Sequence, residues 1–144
     1  MKTKIELISE ENVEETIIRC HKMTDEIQNI VSYIENEKKI IVYKRGTAYP
    51  LNINSIYYFE IVDQNAFVYC EKEIYESKMK LYEFEKETEG TSFFRASKSF
   101  IINADKIDSI KPSLSGRFEV MLTNKEKLIV SRQYVRVLKQ MIGL

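Results

Sequence analysis

A chain of 144 residues is long enough for one domain, or for one domain with a short appended element. Hydrophobic residues make up 44% of it and charged residues 31%, a globular composition that argues against a disordered, fibrous or membrane-embedded chain. The first residues lack the apolar core of a signal peptide, and no window approaches the roughly 18 apolar residues of a membrane span. We therefore expect a cytoplasmic protein with no membrane insertion.

The charge is balanced overall but unevenly distributed. The chain has 22 basic and 22 acidic residues. Residues 93–144 contain ten Lys or Arg and four Asp or Glu, a net charge of +6, whereas residues 1–92 have a net charge of −6. A basic segment of this kind is either an ordinary solvated face or a surface for an anionic partner such as nucleic acid, and charge alone leaves both open.

The first 37 residues predict a strand-and-helix extension. Residues 2–8 alternate polar and apolar side chains and residues 14–20 are rich in β-formers, which predicts a hairpin across the acidic turn between them. Thr24 then begins a predicted helix that ends at about Asn36. Its apolar residues recur at spacings of three and four, namely Ile27, Ile30, Val31 and Ile34. That stripe can pack on the rest of the chain or on a second copy of it.

From Lys39 onward the pattern is mostly that of strands. Five runs rich in Ile, Val, Tyr and Phe are predicted strands, at residues 39–44, 49–53, 56–62, 66–72 and 73–79. A short helix follows at 78–87. The aromatic residues of these runs could form a platform for stacking bases, but at this density in strands we expect most of them in the core.

Beyond Gly90 the sequence predicts further strands and a last helix. The strands are residues 93–103, 106–114, 117–124 and 128–131, with a hairpin turn at Asn124 and Lys125. Ser131 is a natural N-cap for the last helix, whose apolar stripe consists of Val135, Leu138, Met141 and Ile142. The predicted fold class is mostly β (α+β) with short helices.

The sequence offers little for catalysis or metal binding. It has no nucleophile elbow and no phosphate-binding glycine loop, so we predict that the protein is not an enzyme and carries no cofactor. Cys20 and Cys70 are expected to be small buried hydrophobic residues. His21 is the single histidine and has no second His or Cys at a metal-ligand spacing, so we expect no zinc.

Polar and basic residues cluster at strand ends and turns near the C-terminus. Lys and Arg neutralise phosphates, hydroxyls donate to phosphate oxygens, and Lys, Arg and Gln can reach base edges in the major groove. Arg132 and Gln133 fall in the predicted first turn of the last helix, where a basic residue opposes the helix dipole unless an anion is near. The candidate residues are Arg95, Ser97, Lys98, Ser99, Lys111, Ser113, Ser115, Arg117, Ser131, Arg132 and Gln133.

The same segment resembles a known family. FFRASKSFIINADKIDSIKPSLSGRFEVMLTNKEKLIVSRQYVRVLKQMIG is similar to the LytTR DNA-binding domain, which has an FFR-x-H-K-S-F-I-V-N strand, an S-G-R-F-E-V hairpin and a V-S-R-R-Y-V helix start. Upstream, IYYFEIVDQNAFVYCEKEIYESKMKLYEFE resembles the family's first strands and helix, so the likeness covers residues 38–144. It implies an elongated β-sheet domain that places loops, rather than a recognition helix, in successive major grooves.

The resemblance implies three base-contacting positions. They correspond here to the turn of Asp63, Gln64 and Asn65, to Lys98, and to Gln133. The chain departs from the family pattern at two places. Ala96 and Ser97 stand where an x-His pair is common, and Gln133 stands where Arg is usual. These departures bear on which DNA sequence is recognised.

The sequence thus predicts an N-terminal extension (residues 1–37) followed by a LytTR-like DNA-binding domain (residues 38–144). The expected function is sequence-specific transcriptional regulation of a bacterial type, with double-stranded DNA carrying promoter repeats as the partner. The extension is too short for a receiver domain, and the sequence identifies no signalling partner. The helix from Thr24 suggests a homodimer, at least on DNA. The alternative is a small β-rich protein-interaction module that uses the same basic face on an acidic partner.

Overall fold

The computed structural model describes residues 1–35 and 38–144. The chain divides into two compact units, Met1–Glu35 and Asn36–Leu144. The first unit contains helix α1 (Asp25–Glu35). Thr24 Oγ1 accepts a hydrogen bond from the backbone N–H of Ile27 at 3.3 Å, which confirms the predicted helix start. The predicted helix end at Asn36 lies outside the described residues.

The predicted N-terminal hairpin is wrong. Residues 1–24, all of which are described, contain no strand, and the backbone N–H of Asn12 donates to Ser9 O at 3.0 Å in an isolated turn. The apolar side chains of the segment, such as Ile5 and Leu7, are exposed. A two-stranded hairpin without a further strand or a packed face is marginal in water, so the alternation of polar and apolar residues was insufficient to form it.

Residues 38–144 of the second unit contain ten strands and two α-helices. They are β1 (Lys39–Lys44), β2 (Thr47–Asn52), β3 (Ile56–Val62), β4 (Asn65–Cys70), β5 (Ile74–Ser77), α2 (Leu81–Glu87), β6 (Phe93–Arg95), β7 (Phe100–Asn103), β8 (Ile107–Pro112), β9 (Phe118–Leu122), β10 (Lys127–Val130) and α3 (Val135–Met141). A seven-stranded sheet has the order β2-β1-β5-β4-β3-β7-β6, and a three-stranded sheet has the order β10-β9-β8. The predicted class, mostly β with short helices, is confirmed.

The run at 93–103 forms two strands instead of the single predicted strand. β6 and β7 pair antiparallel, with Phe93 opposite Asn103, across a turn at residues 96–99. The hydroxyl of Ser97 closes this turn by accepting hydrogen bonds from the backbone N–H groups of Ser99, at 3.0 Å, and Phe100, at 3.2 Å. A short polar side chain that bonds its own backbone competes with the strand, so continuous β-propensity did not predict the break.

Two hydrophobic clusters both contain residues of β3, which lies between β4 and β7 in the large sheet. Phe59 belongs to the first cluster and stacks on Phe84 of α2, with the ring centroids 4.3 Å apart. Tyr58 belongs to the second cluster, which contains Val120 of β9 and Leu138 of α3. Adjacent strand residues point to opposite faces, so the large sheet is covered by α2 on one face and by the small sheet with α3 on the other. The interpretation of the aromatic residues as core is confirmed for these buried side chains.

The cysteines differ from each other. Cys20 is exposed, so the prediction that it is buried is wrong, because the strand that would have sheltered it does not form. Cys70 is half-buried against the first cluster, and burial raises the pKa of its thiol. In residues 1–35 and 38–144, no helix has the length and apolar character needed to cross a membrane.

Candidate nucleic-acid interface

The three turns that carry the expected base-contacting residues lie side by side in the second unit. They are residues 63–65 between β3 and β4, residues 96–99 between β6 and β7, and residues 131–133 after β10. The backbone N–H of Ile61 donates to Ser99 O at 2.8 Å, and the N–H of Ser131 donates to Ala96 O at 2.9 Å. Two backbone hydrogen bonds therefore connect the middle turn to its neighbours and bring the predicted residues together.

The turn of residues 63–65 is a tight hairpin. Asp63 and Gln64 have φ values of 49° and 67°, the left-handed conformation at both central positions that suits the twist of paired strands. The amide Nδ2 of Asn65 donates to Asp63 O at 3.1 Å. All three side chains are exposed. The turn consequently presents amide and carboxylate groups to solvent on a short, well-defined backbone.

Arg95 stabilises the middle turn by donating hydrogen bonds to its backbone carbonyls. Its Nε donates to Ser97 O at 2.6 Å and its Nη2 donates to Lys98 O at 2.9 Å. Its Nη1 lies 3.4 Å from Glu85 Oε2 on α2. A guanidinium has donors in a fixed fork, so one side chain fixes two carbonyls of the turn. This arrangement directs Arg95 inward, towards its own chain.

Ser97 and Lys98 have different positions in that turn. Ser97 is buried and its hydroxyl is used by the two backbone N–H groups named above. Lys98 is exposed at the tip, and its ammonium group forms no ion pair with a carboxylate anywhere in residues 1–35 and 38–144. Of the two, Lys98 is the side chain that can reach an external partner.

The predicted cap of the last helix is wrong. α3 begins at Val135, and Ser131 instead precedes a 3₁₀ helix of Arg132–Tyr134, where its side chain makes no capping hydrogen bond. Arg132 and Gln133 lie in this 3₁₀ helix with exposed side chains. The argument from the α-helix dipole therefore does not apply to them, although both side chains remain accessible next to the middle turn.

A fourth turn, residues 113–117 between β8 and β9, contacts the third. Ser113 N–H donates to Arg117 O at 2.8 Å, and Ser115 and Gly116 have φ values of 59° and 74°. A Cβ placed on Gly116 would lie 2.9 Å from Cδ of Arg132, so this backbone and that side chain are in close contact. The candidates Ser113, Ser115 and Arg117 are exposed here.

Lys111 is exposed but, unlike Lys98, forms an ion pair within the chain. It lies on β8 two residues before the fourth turn, and its Nζ is 3.2 Å from Glu119 Oε2. Lys127 approaches the other oxygen of the same carboxylate, with Nζ 3.7 Å from Glu119 Oε1. Two lysines of the small sheet thus share one carboxylate, so these three side chains have a net charge of +1.

Sequence reasoning missed four basic residues that flank the turns. Lys78 and Lys80, between β5 and α2, line a surface groove of about 990 Å³ together with Gln64 and Lys98. Arg136 and Lys139 line a second, smaller cleft beside Arg132. A partial signal exists in the sequence, since Arg136 follows Arg132 by four residues and would share its face of a helix. Lys78 and Lys80 have no such signal in the sequence, because it is the order of strands in the sheet that places them near the turns.

Comparisons with known proteins match most of the second unit to one family of DNA-binding domains. The family model described as the LytTr DNA-binding domain matches residues 46–143. A solved LytTr DNA-binding domain, from a Bacillus cereus protein described as a methyl-accepting/DNA response regulator, superposes with a TM-score of 0.69 at 26% identity. That match covers 75% of this chain and 99% of the solved domain.

Two sequence relatives extend the comparison. The sensory transduction protein LytT of Enterococcus faecalis is 32% identical over 89 residues, which are 62% of this chain and 37% of that protein, so this chain spans little more than a third of its length. A Staphylococcus aureus protein described as an HTH-type transcriptional regulator is 25% identical over 146 residues, covering 98% of this chain and 99% of that protein. In the described part of this chain, strands separate every pair of α-helices, so no helix-turn-helix is present.

Proposed function

Because the chain belongs to the LytTr DNA-binding domain family, we propose that it is a sequence-specific transcriptional regulator whose turns enter successive major grooves of double-stranded DNA. The observation that supports this most directly is the pair of backbone hydrogen bonds from Ile61 to Ser99 and from Ser131 to Ala96. They connect three neighbouring turns, each of which has at least one exposed side chain. A row of short turns can follow a groove in the way that a single projecting helix does in other regulators.

The side chains of the three turns differ in the DNA groups that they can contact. Gln64, Asn65 and Gln133 carry amides, which pair best with N6 and N7 of adenine. Lys98 carries a cation that can donate to O6 and N7 of guanine. The remaining basic and hydroxyl side chains contact DNA phosphates and so set the orientation of the protein on the duplex. These side chains are Ser99, Lys111, Arg117, Ser131 and Arg132. Arg95 and Ser97 contribute by holding the middle turn in place.

Two copies are proposed to bind together, on repeated promoter sites. Support comes from α1, where Ile30 and Val31 are half-buried and Ile34 is 42% exposed, so an apolar stripe is left partly uncovered in one copy of the chain. Such a stripe is a common surface for self-association. Analytical ultracentrifugation with and without DNA checks this, and a monomeric mass in both states would contradict the dimer.

The experiment that tests DNA binding measures affinity against salt. Fluorescence anisotropy with the DNA upstream of the chain's own gene should give a log–log slope between about −3.5 and −7, as expected for four to eight neutralised phosphates at about −0.9 each. DNA of shuffled sequence is the control for specificity. A slope near zero would refute a nucleic-acid surface. Retention on heparin without any DNA shift would favour the alternative, a module whose basic face binds an acidic protein.

A further inference from the structure

We propose that the cleft between the 113–117 turn and α3 binds a phosphodiester of the DNA backbone, and that Gly116 is the positioning residue that sets Arg132 in it. The inference rests on the proposed function, since it assigns a phosphate site within the same DNA interface. It adds Gly116, Arg136 and Lys139 to that interface.

Three basic side chains line the cleft, and no Asp or Glu is among its described lining residues. It has a volume of about 510 Å³, and its charged lining residues are Arg132, Arg136 and Lys139. Among the described residues, no carboxylate oxygen lies within 4.0 Å of a side-chain nitrogen of these three, in contrast to Lys111 with its partner Glu119. The Nζ of Lys139 lies 5.3 Å from the centroid of the Phe118 ring, which keeps it at the edge of the cleft.

This arrangement costs stability in the free protein. Arg136 and Lys139 are three residues apart on α3, a spacing that brings like charges together on one face of the helix, and Arg132 lines the same cleft from the preceding 3₁₀ helix. A bound phosphate would relieve the repulsion and accept charge-assisted hydrogen bonds from the guanidinium groups. The cluster is therefore suited to an anion that arrives with the DNA.

Gly116 determines where the Arg132 side chain can lie. Its φ is +74°, and a Cβ on it would lie 2.9 Å from Cδ and 3.1 Å from Cγ of Arg132. Gly46 and Gly90 have φ values of +78° and +76°, yet a Cβ on either would meet nothing within 4 Å. All three glycines carry the same backbone requirement, but only at Gly116 does the missing side chain leave room for another residue.

These glycines supply a matched set of variants. Gly116→Ala, Gly90→Ala and Gly46→Ala should each lower Tm by about 2 to 6 °C, because an alanine is strained in the left-handed backbone conformation. Only Gly116→Ala should also weaken DNA binding, by about 5- to 20-fold, because the new methyl displaces Arg132. In an Arg132→Ala background the same substitution should change affinity by less than about twofold, since no side chain remains to be displaced.

Arg136→Gln and Lys139→Gln test the phosphate directly, and they remain informative if Gly116→Ala folds poorly. Each should weaken binding to every DNA sequence alike and reduce the salt slope by about 1. Lys72→Gln, an exposed lysine at the opposite end of β4 from Asn65, is the control for loss of charge and should leave the slope unchanged.

The outcomes separate this inference from the proposed function. If the parent protein binds its DNA and the Arg136 and Lys139 variants keep its slope, the phosphate site is refuted while DNA binding stands. If Gly116→Ala is as damaging without Arg132 as with it, the positioning role is refuted. If the parent protein itself fails to bind DNA, the proposed function falls and this inference falls with it.

Discussion

Replacing Lys98 and replacing its neighbour Ser97 should have opposite consequences, although both residues lie in the same four-residue turn. The hydroxyl of Ser97 satisfies the backbone N–H groups of Ser99 and Phe100. Ser97→Ala leaves these partly buried donors without that acceptor, which should cost about 1 to 3 kcal/mol of unfolding free energy. The Lys98 side chain is exposed, so Lys98→Ala should change stability by less than about 0.5 kcal/mol.

DNA binding should respond in the opposite way, with a larger loss of affinity for Lys98→Ala than for Ser97→Ala. If Lys98 donates to a base, Lys98→Ala should cost about 1 to 3 kcal/mol, equivalent to a roughly 5- to 150-fold weaker Kd, and less if it contacts only phosphate. Ser97→Ala should weaken binding only in proportion to how far it loosens the turn. Lys72→Ala removes one exposed lysine at the far end of β4 and should leave specific binding nearly unchanged.

The assay pairs thermal melting with fluorescence anisotropy at one fixed salt concentration. Ser97→Ala should lower Tm by about 3 to 10 °C, and Lys98→Ala by no more than about 2 °C. The reasoning is refuted if Lys98→Ala melts many degrees lower while its folded fraction binds DNA as the parent does. In that case Lys98 supports the turn and does not read the DNA.

Three further predictions follow from single side chains. Gln133 should prefer adenine, so Gln133→Arg should move the preference at one base pair towards guanine by about 1 to 3 kcal/mol; identical site-selection results for both proteins would contradict this. Arg95→Lys should lower stability by about 1 to 2 kcal/mol, because an ammonium cannot replace the fork that donates to two carbonyls; unchanged melting would refute it. Burial raises the pKa of the Cys70 thiol and so lowers its thiolate fraction, whereas Cys20 is exposed. Iodoacetamide should therefore modify Cys20 before Cys70, as followed by mass spectrometry over time. Equal rates of modification would contradict the difference in burial.

The features that depend on neighbours in sequence were predictable. The helix start at Thr24 needs only a hydroxyl and the N–H three residues on, and the structure has that bond. β3 spans Ile56–Val62 as its run of β-branched and aromatic residues predicts. The hairpin between β9 and β10 follows from the turn at Asn124 and Lys125, where Lys125 has a φ of 74°. Hydrophobic period, caps and turn residues act within a few residues, so they can be read without the fold.

Which side chains face a partner could not be read in the same way. The sequence marked Arg95, Ser97 and Lys98 alike, but pairing of β6 with β7 turns the first two inward and leaves only Lys98 exposed at the tip. The contact of Gly116 with Arg132 joins turns that are 16 positions apart along the chain. The sequence alone determined the family, the class of fold and the basic character of the last third. Only the tertiary structure decided which polar groups form hydrogen bonds within the protein and which face solvent. This depends on hydrogen bonds and packing between segments that are distant in sequence.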